Sequence, residues 1–148
     1  MALIRLTKIF EFEMAHALKG YDGPCRNIHG HSYKLHVTVA GEPVQNNADP
    51  KNGMLIDFSL LKEIVKRNVV DVFDHAIVLN EMADAPAGKH DGMFDRMVRL
   101  PFQPTCENLL VYIADKISRE LPAKIQLHNL RLYETATSFA EWYAADNP

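Results

Sequence analysis

The sequence predicts an α+β fold in the order β-β-α-α-β-β: a four-stranded antiparallel sheet with two helices on one face. Three observations carry this. Residues 3–16 and 31–40 alternate apolar and polar, the period of half-buried strands. Two later stretches switch to the i, i+3, i+4 spacing of amphipathic helices. The chain then returns to two strand-like runs around a short "TATS" connection. Strands outside and helices between them argue for both helices packing on one sheet face.

In the first run Ile4, Leu6, Phe10, Phe12 and Met14 share one parity, and His16 ends the row. In the second, Tyr33, Leu35, Val37 and Val39 share a face with His29 and His31, if the strand extends back that far. "GEPVQNNADPKNG" (41–53) is a turn-rich connection. Leu60, Leu61, Ile64, Val65, Asn68, Val69 and Val72 then form a helical stripe, with Asp57 or Ser59 able to cap its start. Residues 81–103 lack periodicity and read as a long excursion. The second helix opens at Pro104 and the N-cap Thr105, with Glu107 in the first turn, where a carboxylate suits the dipole. Its stripe is Leu109, Leu110, Ile113, Ile117 and Leu121, and Pro122 ends it. Residues 124–134 and 138–145 are expected to pair as a hairpin. A sheet covered on one face leaves a second face and two edges, which oligomerisation would protect.

The 148 residues suit one domain spanning 1–148. A net charge of −3 and no basic stripe with interleaved aromatics give no footprint for nucleic acid. No apolar run approaches the ~20 residues of a membrane span. The first residues alternate and carry charges, so they do not read as a secretory leader. With Cys25 and Cys106 alone, no disulfide framework is indicated, and the expected compartment is a reducing cytoplasm.

"CRNIHGHSYKL" (25–35) holds the densest chemistry. On an extended chain His29 and His31 point the same way, with Gly30 adding no side chain between them. If strands one and two pair antiparallel through the 17–28 connection, His16 meets them. Three histidines with an open fourth position are the donor set of a catalytic zinc site. Cys25 could close the site as a fourth ligand. It could instead be a general base whose thiol a nearby cation acidifies. Spacing leaves both open.

Asp74 and His75, in "FDHAIVLN", diverge on an extended chain but could meet in a turn, where the carboxylate would orient the ring. Taken alone, they read better as a solvated aspartate and a helix C-terminal histidine. Glu107 and Glu134 read as a first-turn and a strand-end carboxylate, either able to grip a guanidine-like edge by two points. His36, His90 and His128 suggest no partners, and Cys106 reads as a packing residue.

Together "FEFEMAH", "CRNIHGHSY", "GMLIDF", "FDHAIVLN", "PTCEN" and "LYET" resemble, in order and over nearly the whole chain, the 6-pyruvoyltetrahydropterin synthase / 6-carboxytetrahydropterin synthase family. The resemblance implies the tunnelling fold, with trimers closing a twelve-stranded barrel and stacking into a homohexamer. It implies Zn2+ on His16, His29 and His31, and Cys25 as catalytic base. Asp74 and His75 would be a catalytic pair supplied by a neighbouring subunit. Glu134 would anchor the pterin ring, with Thr105 and Glu107 lining its pocket. The implied substrate is 7,8-dihydroneopterin triphosphate.

The spacing Cys-x3-His-Gly-His resembles the bacterial branch that forms 6-carboxy-5,6,7,8-tetrahydropterin, acetaldehyde and triphosphate and feeds 7-deazaguanine and queuosine synthesis. The pyruvoyl-forming branch is the alternative. A zinc hydrolase with an incidental Cys25, or a non-catalytic pterin-binding homologue, are more distant readings. Departures from the family pattern are the 81–103 excursion, Met14 where a small residue is common, and Cys106 where Thr or Ser is common.

Overall fold

A computed structural model describes residues 2–84 and 90–148. Its first two strands, β1 (Ile4–His16) and β2 (His29–Gly41), run antiparallel in unbroken register from Ile4 opposite Gly41 to His16 opposite His29. The alternation read from the sequence sorts them cleanly. Phe10, Phe12, Met14 and His16 of β1 are buried with Tyr33, Leu35, Val37 and Val39 of β2. Ile9, Glu11, Glu13, Ser32, Lys34 and His36 lie along the opposite face.

The helical run starts at α1 (Phe58–Val65), where Asp57 is the cap and accepts from the Ser59 amide at 2.8 Å. It continues through a π-helical turn, Lys66–Val70, into the single turn α2 (Asp71–Phe73). The wider turn shifts the stripe by one residue, so Phe73 is fully buried where α-helical spacing would have buried Val72. The second long helix, α3 (Cys106–Glu120), is capped by Thr105, whose hydroxyl accepts from the Asn108 amide at 3.2 Å. Leu109, Leu110, Ile113 and Ile117 face the sheet, as the periodicity predicts.

The sheet differs from the expected four antiparallel strands. Among the described residues it has six, in the order β4-β3-β1-β2-β5-β6, and is mixed. Strand β3 (Ala76–Asn80) leaves the helical run and pairs parallel to the end of β1, and β4 (Met97–Leu100) pairs parallel to β3. Ala76, Val78 and Leu79 are all buried there. A short strand covered on both sides shows no alternation, so "AIVLN" gave no strand period to read. Part of the 81–103 excursion is therefore β4. Residues 85–89 of that segment lie outside the described residues.

Strands β5 (Gln126–Thr135) and β6 (Ser138–Tyr143) form the expected hairpin. A bulge in the β2–β5 ladder places Leu127 and Leu130, three residues apart, on the same buried side. From Leu130 the alternation continues through Leu132 to Glu134, so that apolar row ends in a carboxylate, just as the β1 row ends in an imidazole. No helix among the described residues is long and apolar enough to cross a membrane.

Candidate active site

The β1–β2 register puts His16 directly opposite His29, while His31 pairs with Met14 one step along the same face. The three rings meet with centroids 4.6, 4.9 and 5.2 Å apart. One nitrogen from each lies within 4.8 Å of the others, so the trio could hold a metal ion.

Backbone carbonyls decide how two of the rings present themselves. His16 Nδ1 is 2.7 Å from the Pro104 carbonyl, and His29 Nδ1 is 2.8 Å from the Asn27 carbonyl. A carbonyl only accepts, so each Nδ1 donates and each Nε2 carries a lone pair. These two Nε2 atoms face each other at 3.0 Å. Two facing lone pairs repel unless a cation lies between them, and tetrahedral Zn–N bonds would set such nitrogens about 3.3 Å apart. Burial lowers the pKa of His16 and so favours the neutral, ligating ring. His31 Nε2 is buried without a hydrogen bond, with Glu134 Oε1 3.4 Å away. The donor set, the fixed tautomers and this unpartnered nitrogen all fit a metal.

Gly30 is not required by crowding. A Cβ there would meet only the Met14 carbonyl at 3.6 Å and the Ala15 Cβ at 4.0 Å.

Beside the trio opens a cavity of about 320 Å³. His16 and Leu18, Cys25, Thr105, Cys106 and Glu107, Glu134, and Ser138 to Ala140 line it. The structure thus gathers Cys25, Thr105 with Glu107, and Glu134 from three places in the chain. No lysine or arginine is among the described residues that line it. Cys106 also lines the wall, a position that sequence reading reduced to packing. Its Sγ donates to the Leu132 carbonyl at 3.2 Å, and burial pushes its pKa up to about 11.

Asp74 and His75 do not line this cavity. They meet in a turn, with Asp74 Oδ2 3.0 Å from His75 Nδ1. Asp74 Oδ1 accepts from the Glu13 amide at 2.9 Å, a bond that holds its carboxyl below the usual range. His75 adopts φ +60°, left-handed backbone that a non-glycine residue enters at a cost. That turn aims the ring into a separate, shallower depression bordered by Glu13, Gly30, His31 and Ser32. The contact left open by adjacency in sequence is therefore formed, on the opposite side of β1 and β2 from the Cys25 cavity.

The mixed sheet thus carries, at the end of its first hairpin, three converging imidazoles able to hold a metal ion, next to a small cavity lined by two carboxylates. The family model described as 6-pyruvoyl tetrahydropterin synthase (PTPS) matches residues 5–145, and the chain belongs to that family. The 6-carboxy-5,6,7,8-tetrahydropterin synthase of Haemophilus influenzae is 36% identical over 143 residues, covering 95% of this chain and 99% of that one. The protein of the same name from Rickettsia bellii is 32% identical over 145 residues, covering 94% and 99%. The structure of Caenorhabditis elegans 6-pyruvoyl tetrahydropterin synthase matches with a TM-score of 0.67 at 25% identity, covering 97% of this chain and 96% of that one.

Proposed function

We propose that the chain is, over its whole length, a single-domain zinc-dependent 6-carboxy-5,6,7,8-tetrahydropterin synthase. It converts 7,8-dihydroneopterin triphosphate to the carboxypterin, acetaldehyde and triphosphate, and works as a cytoplasmic homohexamer in 7-deazaguanine synthesis. The observation that carries the reading is a histidine trio, two of its rings fixed in tautomer, whose His16 shares one cavity with Cys25 and Glu134. The full-length likeness to carboxy-forming synthases selects the branch.

His16, His29 and His31 would hold the zinc, which supplies Lewis acidity toward the hydroxyls of the substrate side chain and so acidifies the neighbouring C–H bonds. Glu134 accepts two hydrogen bonds from the guanidine-like edge of the pterin and fixes the ring. Glu107 and Thr105 border the same end. Cys25, at the cavity wall, takes a proton from the side chain as thiolate. Asp74 holds His75 through Nδ1, leaving Nε2 to carry a second proton. Since that pair faces away from its own cavity, it serves the site of a neighbouring subunit.

At about 320 Å³ the cavity is of a size for a compact ligand, and among the described residues two carboxylates line it without lysine or arginine. The pterin end enters and the triphosphate stays outside. Mass-spectrometric product analysis with dihydroneopterin triphosphate tests the reading. Carboxypterin with acetaldehyde supports it. A pyruvoyl product moves the protein to the sister activity. No turnover with zinc bound refutes both, and turnover that survives Cys25→Ala points to a hydrolase.

A further inference from the structure

Cys25 sits in the 17–28 connection, where the described structure contains one short 3-10 turn, Pro24–Arg26. Besides short local turns at Leu18–Tyr21, Gly23–Arg26 and Pro24–Asn27, its two limbs are tied by the Leu18 amide donating to the Cys25 carbonyl at 3.0 Å. One residue along, the Lys19 backbone is gripped at both polar atoms by one side chain. Its amide donates to Gln103 Oε1 at 3.2 Å, and Gln103 Nε2 donates to its carbonyl. The Lys19 ammonium reaches the Met82 carbonyl as a further tie.

Gln103 is itself held. Its carbonyl accepts from the Thr105 amide at 2.8 Å and from Asn108 Nδ2 at 3.0 Å. The proline that follows confines it to extended backbone. Pro104 in turn gives its carbonyl to His16 Nδ1. The segment Gln103–Pro104–Thr105 therefore fixes three things at once: the loop that carries the thiol, the ring of one metal-position histidine, and the start of α3.

We propose that Gln103 is a positioning residue, whose two-point grip on Lys19 holds Cys25 in register with the histidine trio. The proposal rests on Cys25 acting as the base of the reaction given above. A base displaced by about 1 Å costs on the order of 100-fold in rate, while substrate held at Glu134 still binds. The grip therefore governs kcat and leaves KM and metal content alone.

Two variants separate the grip from simple space-filling. Gln103→Met keeps the length and removes both hydrogen bonds. Gln103→Glu keeps an acceptor for the Lys19 amide and sets a carboxylate against the Lys19 carbonyl. In zinc-loaded protein both are expected to lower kcat 10- to 100-fold, with KM within about threefold of wild type and zinc content unchanged. Amide exchange followed by NMR supplies a readout apart from activity. The informative proton is the Leu18 amide, which Gln103 does not touch. Its exchange should speed up at least tenfold, while the α3 amides Leu110 to Ile117 keep their wild-type rates.

Wild-type kcat in Gln103→Met overturns the proposal, as does a Leu18 amide that exchanges at the wild-type rate. So does zinc loss, or faster exchange throughout α3, since either marks a merely structural role. If the wild-type protein does not turn over the substrate, the proposed function fails, while the Leu18 exchange still decides whether Gln103 holds the Cys25 loop.

Discussion

Adding zinc to metal-stripped protein is expected to raise its melting temperature by about 9 °C at a free metal concentration 100 times the dissociation constant. The perturbation acts on one contact. With both Nδ1 atoms committed to carbonyls, the Nε2 lone pairs of His16 and His29 face each other at 3.0 Å, where a shared cation would be bound by both. A ligand that binds only the folded state stabilises by about 2.7 kcal/mol at 100 times its dissociation constant. Unfolding entropy near 2.1 cal/mol/K per residue gives about 310 cal/mol/K for 148 residues, hence about 9 °C. Each tenfold increase in free zinc beyond saturation should add about 4 °C. Differential scanning calorimetry at fixed protomer concentration, after chelation and stepwise reloading, measures it. His16→Ala and His29→Ala should flatten the response, and Cys25→Ala should keep it whole. A flat wild-type response refutes the metal assignment. Loss of the response in Cys25→Ala would make the thiol a fourth ligand and the site a closed one.

Three further outcomes are expected. Tyr33 is 1% exposed and its hydroxyl has no hydrogen-bond partner among the described residues, so Tyr33→Phe should stabilise by about 1 kcal/mol and raise the melting temperature by about 2–4 °C; a comparable fall in the calorimetric midpoint would contradict this. Because the Cys106 thiol is pushed up to about 11 and bonded to a carbonyl, iodoacetamide at pH 7.5 should leave it largely unlabelled while it modifies Cys25, and peptide mapping that finds Cys106 modified first would reverse the assignment. The Asp74 carboxyl is held below its unfolded value by the Glu13 amide, so its contribution to stability is complete above about pH 4 and is lost as pH falls through the lower folded value. Urea unfolding should therefore show Asp74→Asn less stable than wild type at pH 7, with the difference shrinking as pH falls below about 4; a difference that does not shrink in acid would contradict the argument.

Much of the fold was legible because parity survives folding. The β1 and β2 rows, both helix caps and the β5–β6 hairpin follow from local patterns, and so does the meeting of His16 with His29. What escaped is what depends on packing from both sides or on remote backbone. Strand β3 shows no clean alternation because Ala76, Val78 and Leu79 are buried and the other two residues are half-buried, and its parallel pairing with β1 has no local signature. Glu134 carried a usable signal as the last member of the Leu130–Leu132 row, but strand-end carboxylates are common enough to hide it. Cys106 and Gln103 gave no signal. Their roles come from the Leu132 carbonyl and the Lys19 backbone, 26 and 84 residues away in sequence. The Asp74–His75 contact needed left-handed backbone at His75, which the residue type does not announce.

The thirteen-residue ladder between β1 and β2 has one further consequence. A slip of one residue would turn each apolar row to solvent and is excluded by hydrophobicity. A slip of two would not. Phe12 would still face an aromatic or aliphatic partner, and the buried face would keep its chemical character. Only at the last rung does the mistake show, because His16 would no longer lie opposite His29 and their Nε2 atoms would part. An ion bound by the trio would thus act as a proofreader of strand alignment, rewarding one alignment among several that grease alone cannot tell apart.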